Sequence, residues 1–194
     1  MKTKGAGHLS IANCLHNLAF LYKLEGADSQ AEPLYLQSLK LAEQKLGTEH
    51  STIASMLNNL AGLYYSQGRY SEAESTYLRS LNIMEKQLGL DHPNVAALLN
   101  NLSSLYDLQK RYIDAEPLYI RSLNILEQKL GSEHPAVANS LNNLGVLYAN
   151  MRQFTKAESL LRKSLNLRKK ILGEEHPNTI RTKKSLANVQ ANMK

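Results

Sequence analysis

Apolar residues recur along the chain at the three-and-four-residue spacing that is typical of amphipathic helices. One segment of this kind, between His50 and Gly68, carries its apolar positions on a single helical face: Ile53, Met56, Leu57, Leu60, Ala61, Leu63 and Tyr64. Gly68 follows at a turn, where glycine can adopt positive φ, and a second amphipathic segment runs from Tyr70 to a second glycine, Gly89. The pattern predicts a helix, a turn and a second helix.

This helix pair recurs every 42 residues, as five histidines show: His8, His50, His92, His134 and His176. The last four end near-copies of the phrase Leu-Gly-x-Asp/Glu-His, and Pro follows three of them. Because the first turn of a helix leaves its N–H groups without intrahelical partners, each His-Pro predicts a helix start. The predicted helices span 9–24, 29–45, 51–66, 71–87, 93–108, 113–129, 135–150, 155–171 and 178–192.

A fixed period of this size predicts a solenoid, in which each repeat buries its apolar face only against its neighbours. We therefore expect an all-α protein of about nine helices without strands, built as a single array over residues 1–194. The repeats lie near 8–49, 50–91, 92–133 and 134–175, and a capping helix occupies 176–194. Small residues mark the places where helices are expected to approach most closely: Ala61, Ala73, Ala115 and Ala157.

The second repeat carries a family resemblance in its alternation of small and large residues: Leu60, Ala61, Tyr64, Gly68, Tyr70, Ala73, Tyr77, Ser80 and Leu81. This alternation resembles the tetratricopeptide repeat. The phrases Leu-Gly-x-Asp/Glu-His-Pro, Leu-Asn-Asn-Leu and Ala-Glu-Pro-Leu-Tyr are similar to the longer repeats of kinesin light chains and of bacterial, including cyanobacterial, relatives. The chain contains no heptad segment of the kind by which kinesin light chains join the motor, so the resemblance concerns the repeat type.

The resemblance covers residues 8–194 and implies a right-handed α-α superhelix. It further implies that a protein or peptide partner binds along the concave face, which the first helix of each pair lines in this family. The first repeat departs from the pattern, with Asp28 where later repeats have an aromatic residue and Leu9 where they have proline.

Asparagines in the middle of the first helices are the main candidates for binding: Asn17, Asn58, Asn59, Asn100, Asn101, Asn142 and Asn143. Asn is among the poorer helix formers, so its repeated use at these positions requires a compensating role. An amide side chain donates and accepts hydrogen bonds at once, and a ladder of amides could hold the backbone of an extended peptide. The alternative is that one Asn of each pair bridges neighbouring helices.

Two aromatic residues, Phe20 and Tyr65, depart from the repeat pattern and fall on positions that the resemblance directs into the groove. Aromatic side chains exposed in a concave surface are good anchors for a partner. The alternative is an isolated surface ring, or one that packs on the neighbouring helix.

Charge is distributed unevenly along the chain. Residues 1–151 hold twelve Lys and Arg against fourteen Asp and Glu, whereas residues 152–194 hold eleven against three, which gives net charges of −2 and +8. Arg181 and Lys184 lie at positions that the repeat alignment directs into the groove, so an acidic partner is expected there.

The sequence gives little support for catalysis. Histidines of consecutive repeats stand on the order of 10 Å apart, too far to share a metal ion whose bonds are about 2 Å long, so we interpret them as capping residues. We find no nucleotide-binding loop and expect a non-enzymatic protein without a cofactor. The single Cys14 is expected to be a buried thiol. The absence of a signal peptide or a long apolar run predicts a cytoplasmic chain that does not enter a membrane.

A scaffold that binds a protein or peptide is thus the leading hypothesis. The alternative is a self-assembling array, since the ends of a solenoid can expose apolar edges; the chain is then expected to be a monomer or to associate weakly end to end. Nucleic-acid binding is disfavoured because no aromatic residues are interleaved with the C-terminal basic residues.

Overall fold

A computed structural model describes the backbone of residues 3–193 and the side chains of residues 8–193. Within this range the chain forms helices and no strands. The helices are α1 (Thr3–Leu24), α2 (Asp28–Leu46), α3 (Ser51–Ser66), α4 (Tyr70–Leu88), α5 (Pro93–Leu108), α6 (Tyr112–Leu130), α7 (Pro135–Asn150), α8 (Phe154–Leu172) and α9 (Pro177–Ala191). The predicted bounds agree to within one residue, except that α1 begins six residues earlier than expected.

The chain divides into two compact units, one ending at Leu90 and the other beginning at Asp91. In the N-terminal unit α1 pairs with α2 and α3 pairs with α4, while α2 also packs on α3. In the C-terminal unit α5 pairs with α6 and α7 with α8, and α9 packs on α8. Within each unit consecutive first helices also touch, namely α1 with α3, α5 with α7, and α7 with α9.

Histidine side chains begin four of the first helices. The Nδ1 atoms of His50, His92, His134 and His176 each accept a hydrogen bond of 3.1 Å from the backbone N–H two residues later. This bond satisfies one of the N–H groups that a helix leaves open at its N-terminus. The capping role that we predict for the periodic histidines is confirmed for these four, whereas His8 lies inside α1, which begins at Thr3.

The turn inside each pair needs a residue at positive φ. Gly26 and Gly68 supply it in the first two repeats with φ of 74°, and Lys110 and Arg152 take the same place at φ of 60°. A non-glycine residue in this region of φ is strained. The period therefore maintains a backbone conformation even where the preferred residue is missing.

The core repeats with the same period. Ala61, Ala73, Ala115 and Ala157 are completely buried, as their predicted role at close helix approaches requires. A serine of each second helix is also buried and donates to a carbonyl of its own first helix: Ser38 to Ala12, Ser80 to Ala54, Ser122 to Ala96 and Ser164 to Ala138, at 2.6–2.7 Å. Each helix pair is thus fixed by an apolar contact and a buried hydrogen bond.

The prediction that Cys14 is buried is wrong, because its side chain is exposed. The equivalent residue in the next repeat, Met56, is 5% exposed, because α2 lies against α3 and Ser38 reaches the Met56 sulfur at 3.9 Å. Among the described residues, no helix lies against the corresponding side of α1. The helical pattern identified the apolar face of α1 correctly, but whether that face is buried depends on a neighbouring helix.

Candidate functional site: the face of the first helices

The candidate residues all lie on the first helices of their pairs or on α9, which occupies the equivalent place after α8. Asn17, Phe20, Arg181 and Lys184 are exposed, and Asn142 is 5% exposed. The other candidates are half-buried: Asn58, Asn59, Asn100, Asn101, Asn143 and Tyr65.

In the C-terminal unit the amides of three asparagines are linked to one another. Asn143 Nδ2 on α7 donates to Asn100 Oδ1 on α5 at 3.3 Å, and Asn142 Nδ2 donates to Asn143 Oδ1 at 3.3 Å. The Thr182 hydroxyl on α9 lies 2.9 Å from Asn142 Oδ1 and 3.0 Å from the Asn178 carbonyl, so its proton can go to either oxygen. Amides therefore connect three consecutive first helices.

This chain of hydrogen bonds continues to Arg168 on α8, whose Nη1 donates to the Thr182 hydroxyl at 2.5 Å. Because an arginine can only donate, the hydrogen bonds can all point away from its charge, from Thr182 through Asn142 and Asn143 to Asn100. Aligned hydrogen bonds polarise one another, and a cation at one end favours this direction. The row of amides is thereby held in one orientation.

The N-terminal unit contains the corresponding link in another form. Asn59 Nδ2 on α3 lies 2.8 Å from His16 Nε2 on α1, and His16 occupies the place of Asn58 one repeat earlier. Since the amide nitrogen can only donate, His16 Nε2 must accept, which places the ring proton on Nδ1. The Nδ1 atom is buried without a partner, and the His16 ring packs on Tyr35 with centroids 5.0 Å apart. Burial lowers the pKa of His16, so its neutral form is favoured.

These contacts bear on the two interpretations of the asparagines. Asn59 and Asn143 bridge neighbouring first helices, which accounts for part of the helix-propensity cost of these residues without a ligand. An amide has two donor and two acceptor positions, so one bridging bond leaves capacity for others. Bridging and ligand binding are therefore compatible roles, and the bridges fix the positions of the amides.

The two off-pattern aromatic residues differ in their surroundings. Phe20 on α1 is 42% exposed. Tyr65 on α3 is half-buried, and its ring lies edge-on to Tyr70 at 6.3 Å between centroids. At the Phe20 position in α3 stands Gly62, where an added Cβ would lie 2.7 Å from Lys23 Nζ. The lysine therefore covers the backbone of α3 beside the exposed ring.

An acid on α5 belongs to the same face in the C-terminal unit. Asn150 Nδ2 on α7 donates to Asp107 Oδ1 at 2.9 Å. Burial raises the pKa of Asp107, and the hydrogen bond from Asn150 opposes that rise. Side chains thus bridge α5 and α7 both at mid-helix and near the last turn.

The basic candidates lie on α9, a helix that also contributes to the lining of a cavity. A cavity of about 400 Å³ opens between α7, α8 and α9. It is lined by Val146, Ala149, Asn150, Arg152, Phe154, Leu161, Ser185, Asn188, Val189 and Asn192. The lining contains one arginine, three asparagines and no acidic residue, and Arg181 and Lys184 are exposed on the same helix, α9. The arrangement favours a ligand that brings acceptors or negative charge.

Sequence reasoning missed Arg168 as a functional candidate, because its lysine neighbours on α8 suggest a solvated face. The side chain is 1% exposed, and it occupies the position of Ala42, Met84 and Leu126 in the other repeats. The repeat alignment contained this signal, since a charged residue at an otherwise apolar position is unusual.

Within the part of the chain that the structure describes, no three His, Cys, Asp or Glu side chains are grouped to hold a metal ion. None of the described helices combines the length and apolar character needed to span a bilayer.

Comparison with known proteins identifies the repeat. The tetratricopeptide repeat family matches residues 52–128, 108–170 and 137–193 with one model and 11–52 with another. No curated protein matches the chain.

Several solved structures are similar to this chain over nearly its whole length. BtubC (BKLC) from P. vanneervenii has a TM-score of 0.83 at 27% identity, covering 95% of this chain and 73% of its own. A Podosopora anserina protein described as a kinesin light chain with nearly identical TPR-like repeats has a TM-score of 0.79 at 26% identity. That match covers 99% of this chain and 89% of the other. A second crystal structure under the same description, of a substituted form, has a TM-score of 0.80 at 28% identity, covering 95% and 88%.

The predicted all-α repeat-solenoid class is therefore confirmed, as is the similarity to kinesin light chain repeats. Such repeats generally mediate protein–protein interaction or self-assembly, and the fold is typically a non-catalytic scaffold. The chain belongs to the tetratricopeptide repeat family.

Proposed function

We propose that the chain is a non-enzymatic scaffold that binds an acidic segment of a partner protein on the first-helix face of the C-terminal unit. The observation that carries this proposal is that Arg181 and Lys184 are exposed on α9, the helix whose Ser185 and Asn188 line the cavity between α7, α8 and α9. Residues 152–194 carry a net charge of +8, which attracts an acidic segment over distance.

The linked asparagines give the proposed site its specificity for a main chain. Asn143 and Asn100 are held by bonds to each other, so they lose little rotamer freedom when a ligand arrives. Asn100 Oδ1 accepts the bond from Asn143, and the Asn100 Nδ2 group is a donor that a ligand could use. A peptide carbonyl is a suitable acceptor for such a donor.

The test measures the binding of a labelled peptide of alternating Glu and Ser, with a Lys-and-Ser peptide as its charge-reversed control. Replacing Arg181 and Lys184 by Ala should weaken the acidic peptide about tenfold at low salt, which corresponds to about 1.4 kcal/mol. The loss should shrink at high salt, because the screening length falls from about 10 Å at 0.1 M to about 3 Å at 1 M.

A matched variant, Lys163→Ala with Lys183→Ala, removes the same charge from other exposed positions on α8 and α9, and Lys183 stands where the other repeats have leucine. It should weaken the peptide less than the Arg181 and Lys184 pair does. Equal losses in the two variants would mean that net charge, rather than this site, attracts the peptide. No binding of the acidic peptide at any salt concentration would overturn the proposal.

A second candidate function, self-association, is favoured by a different observation. On α1, Ile11, Cys14, Leu18 and Leu21 are exposed, and the three apolar side chains among them are 42–55% exposed. Their equivalents on α3 are at most 5% exposed: Ile53, Met56, Leu60 and Leu63. The spacing of three, four and three residues matches the seam of a two-helix coiled coil.

We infer that a second copy of the chain covers this stripe on α1. Residues 8–22 contain no Asp, Glu, Lys or Arg, so two copies meet there without charge repulsion. The stripe is symmetric about residue 16: in an antiparallel pair Ile11 meets Leu21 and Cys14 meets Leu18. On α9, Lys183 and Ala187 are exposed at positions through which other repeats bury their first helix.

Sedimentation velocity over a range of concentrations tests self-association. The unmodified chain should show a concentration-dependent dimer, and Leu18→Glu should remove it while leaving the helical signal unchanged. In the Leu18→Cys variant, mild oxidation should link Cys14 of one copy to the new cysteine of the other. A chain that remains monomeric at all concentrations, or that forms open-ended oligomers, would contradict the inferred dimer.

A further inference from the structure

Arg168 is a buried cation without a carboxylate partner in the described chain. Its Nη1 donates to the Asn178 carbonyl at 2.8 Å and to the Thr182 hydroxyl at 2.5 Å, and its Nη2 donates to Asn139 Oδ1 at 2.8 Å. All three acceptors are neutral. Removing a charge from water is costly unless it is paired and hydrogen-bonded. The burial of Arg168 therefore leaves its charge only partly compensated.

One N–H group of Arg168 is left over. Its Nε atom is buried and has no hydrogen-bond partner among the described residues. Buried N–H groups without a partner are uncommon in proteins, and each calls for an explanation such as an absent ligand or water. Thr179 Oγ1, next to Asn178 on α9, is also buried without a partner. Two unsatisfied polar groups therefore lie around the start of α9.

A cavity adjoins this arginine. It has a volume of about 190 Å³ and is lined by Pro135, Ala138, Asn139, Arg168, Ile171, Leu172, His176 and Asn178. This cavity differs from the larger one between α7, α8 and α9 and shares no lining residue with it. It contains no acidic side chain. Its volume is several times that of a water molecule, which occupies about 30 Å³ in the liquid.

The polar groups around the cavity are mainly donors. His176 Nδ1 accepts the Asn178 N–H at 3.1 Å, so the neutral ring carries its proton on Nε2. Asn139 Oδ1 accepts from Arg168, which leaves its Nδ2 to donate. The cavity also adjoins the start of α9, where the helix dipole places partial positive charge. Burial lowers the pKa of Arg168, and the neighbouring charge of Arg181 lowers it further by adding to the positive potential there.

We propose that this cavity is a carboxylate-binding site, occupied by a single acidic side chain or chain-terminal carboxylate of a partner, with the Arg168 guanidinium, His176 and Asn139 as the donors. A carboxylate has two oxygens in a plane and matches the donors of an arginine edge. Ile171 and Leu172 add partly exposed apolar walls to the cavity. This site shares no lining residue with the cavity of the acidic-peptide site, and the charge of Arg181 adds to the positive potential at Arg168.

The repeat itself supplies the control. Arg168→Met installs the residue that stands at position 84, where the side chain is buried in an apolar surrounding. A second variant, His176→Asn, keeps a side chain that can cap α9 but removes the Nε2 donor. If Arg168→Met loosens α9 because its bonds to Asn178 and Thr182 are lost, His176→Asn still tests the site.

The direct measurement follows the Arg168 Nε–H resonance by NMR while acetate is added at constant ionic strength, with chloride as the reference anion. The expected result is a saturable shift with a dissociation constant on the order of millimolar, as suits a ligand of about four heavy atoms. Arg168→Met should abolish the acetate-dependent increase in melting temperature, and His176→Asn should weaken acetate binding about tenfold, the loss expected for one charge-assisted hydrogen bond. A blocked peptide with one Glu should compete with acetate if the carboxylate comes from a protein chain.

Three results would overturn the proposal: a shift that never saturates, an increase in melting temperature that persists in Arg168→Met, or saturation by phosphate without saturation by acetate. The test is separable from that of the acidic-peptide site. The variant with Arg181 and Lys184 replaced by Ala should keep a saturable acetate shift, and His176→Asn should keep the salt-dependent binding of the Glu-and-Ser peptide.

Discussion

The helices α1 and α9 occupy the same place in the repeat but bury opposite faces. On α1 the stripe containing Leu18 is exposed, whereas the equivalent stripe on α9 is buried against α8: Thr179, Thr182, Leu186 and Val189, at most 7% exposed. On the other face, Ala19 of α1 is completely buried, while Ala187 of α9 is exposed. A first helix therefore has two distinct packing faces, one for the preceding second helix and one for its own.

The residue types differ accordingly. The face of α9 on which no helix of the described residues packs carries Lys183 where the other repeats have leucine, so it is suited to water. The uncovered face of α1 keeps its leucines and an isoleucine and is suited to a partner. The period therefore determines where a packing face lies on a first helix. The residue types on that face indicate whether another helix packs against it.

The largest expected effect on stability comes from truncating the same leucine of the stripe on α3, where it is buried, and on α1, where it is exposed. Leu60 on α3 is 4% exposed and Leu18 on α1 is 42% exposed. Leu60→Ala should lower the free energy of unfolding by about 2–5 kcal/mol, because it leaves a cavity in a packed core. Leu18→Ala should cost well below half of that in the monomer. Chemical denaturation of both variants at low protein concentration measures the difference, and equal losses would show that α1 is covered after all.

The second effect concerns the opposite face, where the matched residues are Ala61 and Ala187. At the equivalent Gly145, an added Cβ would lie 2.9 Å from Leu161 Cγ, which shows how closely the two helices of a pair approach there. Ala61→Leu should therefore overpack the contact and cost about 1–3 kcal/mol. Ala187→Leu should change the stability little, since that position is exposed. Melting temperatures of the two variants are the readout; a similar drop in both would mean that α9 packs through this face.

The smallest effect is a pH dependence at the link between α1 and α3. Because burial lowers the pKa of His16 in the folded protein below its ordinary 6.5, the unfolded chain binds the proton more readily. The neutral ring thus contributes stability that is present above pH 6.5 and is lost as the pH falls towards the folded-state pKa. His16→Asn, which installs the residue of the later repeats, should flatten the melting temperature in this range. An unchanged pH profile in the variant would assign the dependence to other groups.

The sequence predicted the helices well, because His caps, glycine turns and the apolar period act locally and recur every 42 residues. It predicted the positions of Asn59 and Asn143 on the first helices but left their partners open, since a bond from α3 to His16 or from α7 to Asn100 depends on the distance between helices. The exposure of Cys14 was mispredicted for the same reason. Whether a helical face is buried depends on the helix beside it, and the helical period does not specify that neighbour.

Arg168 is the opposite case, because the structure buries a side chain that the sequence suggested would be exposed. Its position in an otherwise apolar row of the repeat was visible in the sequence, yet the charge-rich composition of α8 suggested a solvated side chain. The structure buries it because Asn139, Asn178 and Thr182 supply oxygen acceptors, and these lie on two other helices. A charged residue at an apolar repeat position is therefore best examined together with the polar residues of the adjacent repeats.

The central claim is that the C-terminal unit recognises acidic protein segments, and selection from a random peptide library tests it most directly, because no partner is assumed beforehand. The immobilised chain should enrich peptides rich in Asp and Glu at low salt. The variant with Arg181 and Lys184 replaced by Ala should lose that enrichment, while the Lys163→Ala, Lys183→Ala variant should retain it. Enrichment of peptides without an excess of acidic residues, or the same acidic peptides recovered with both variants, would contradict the account.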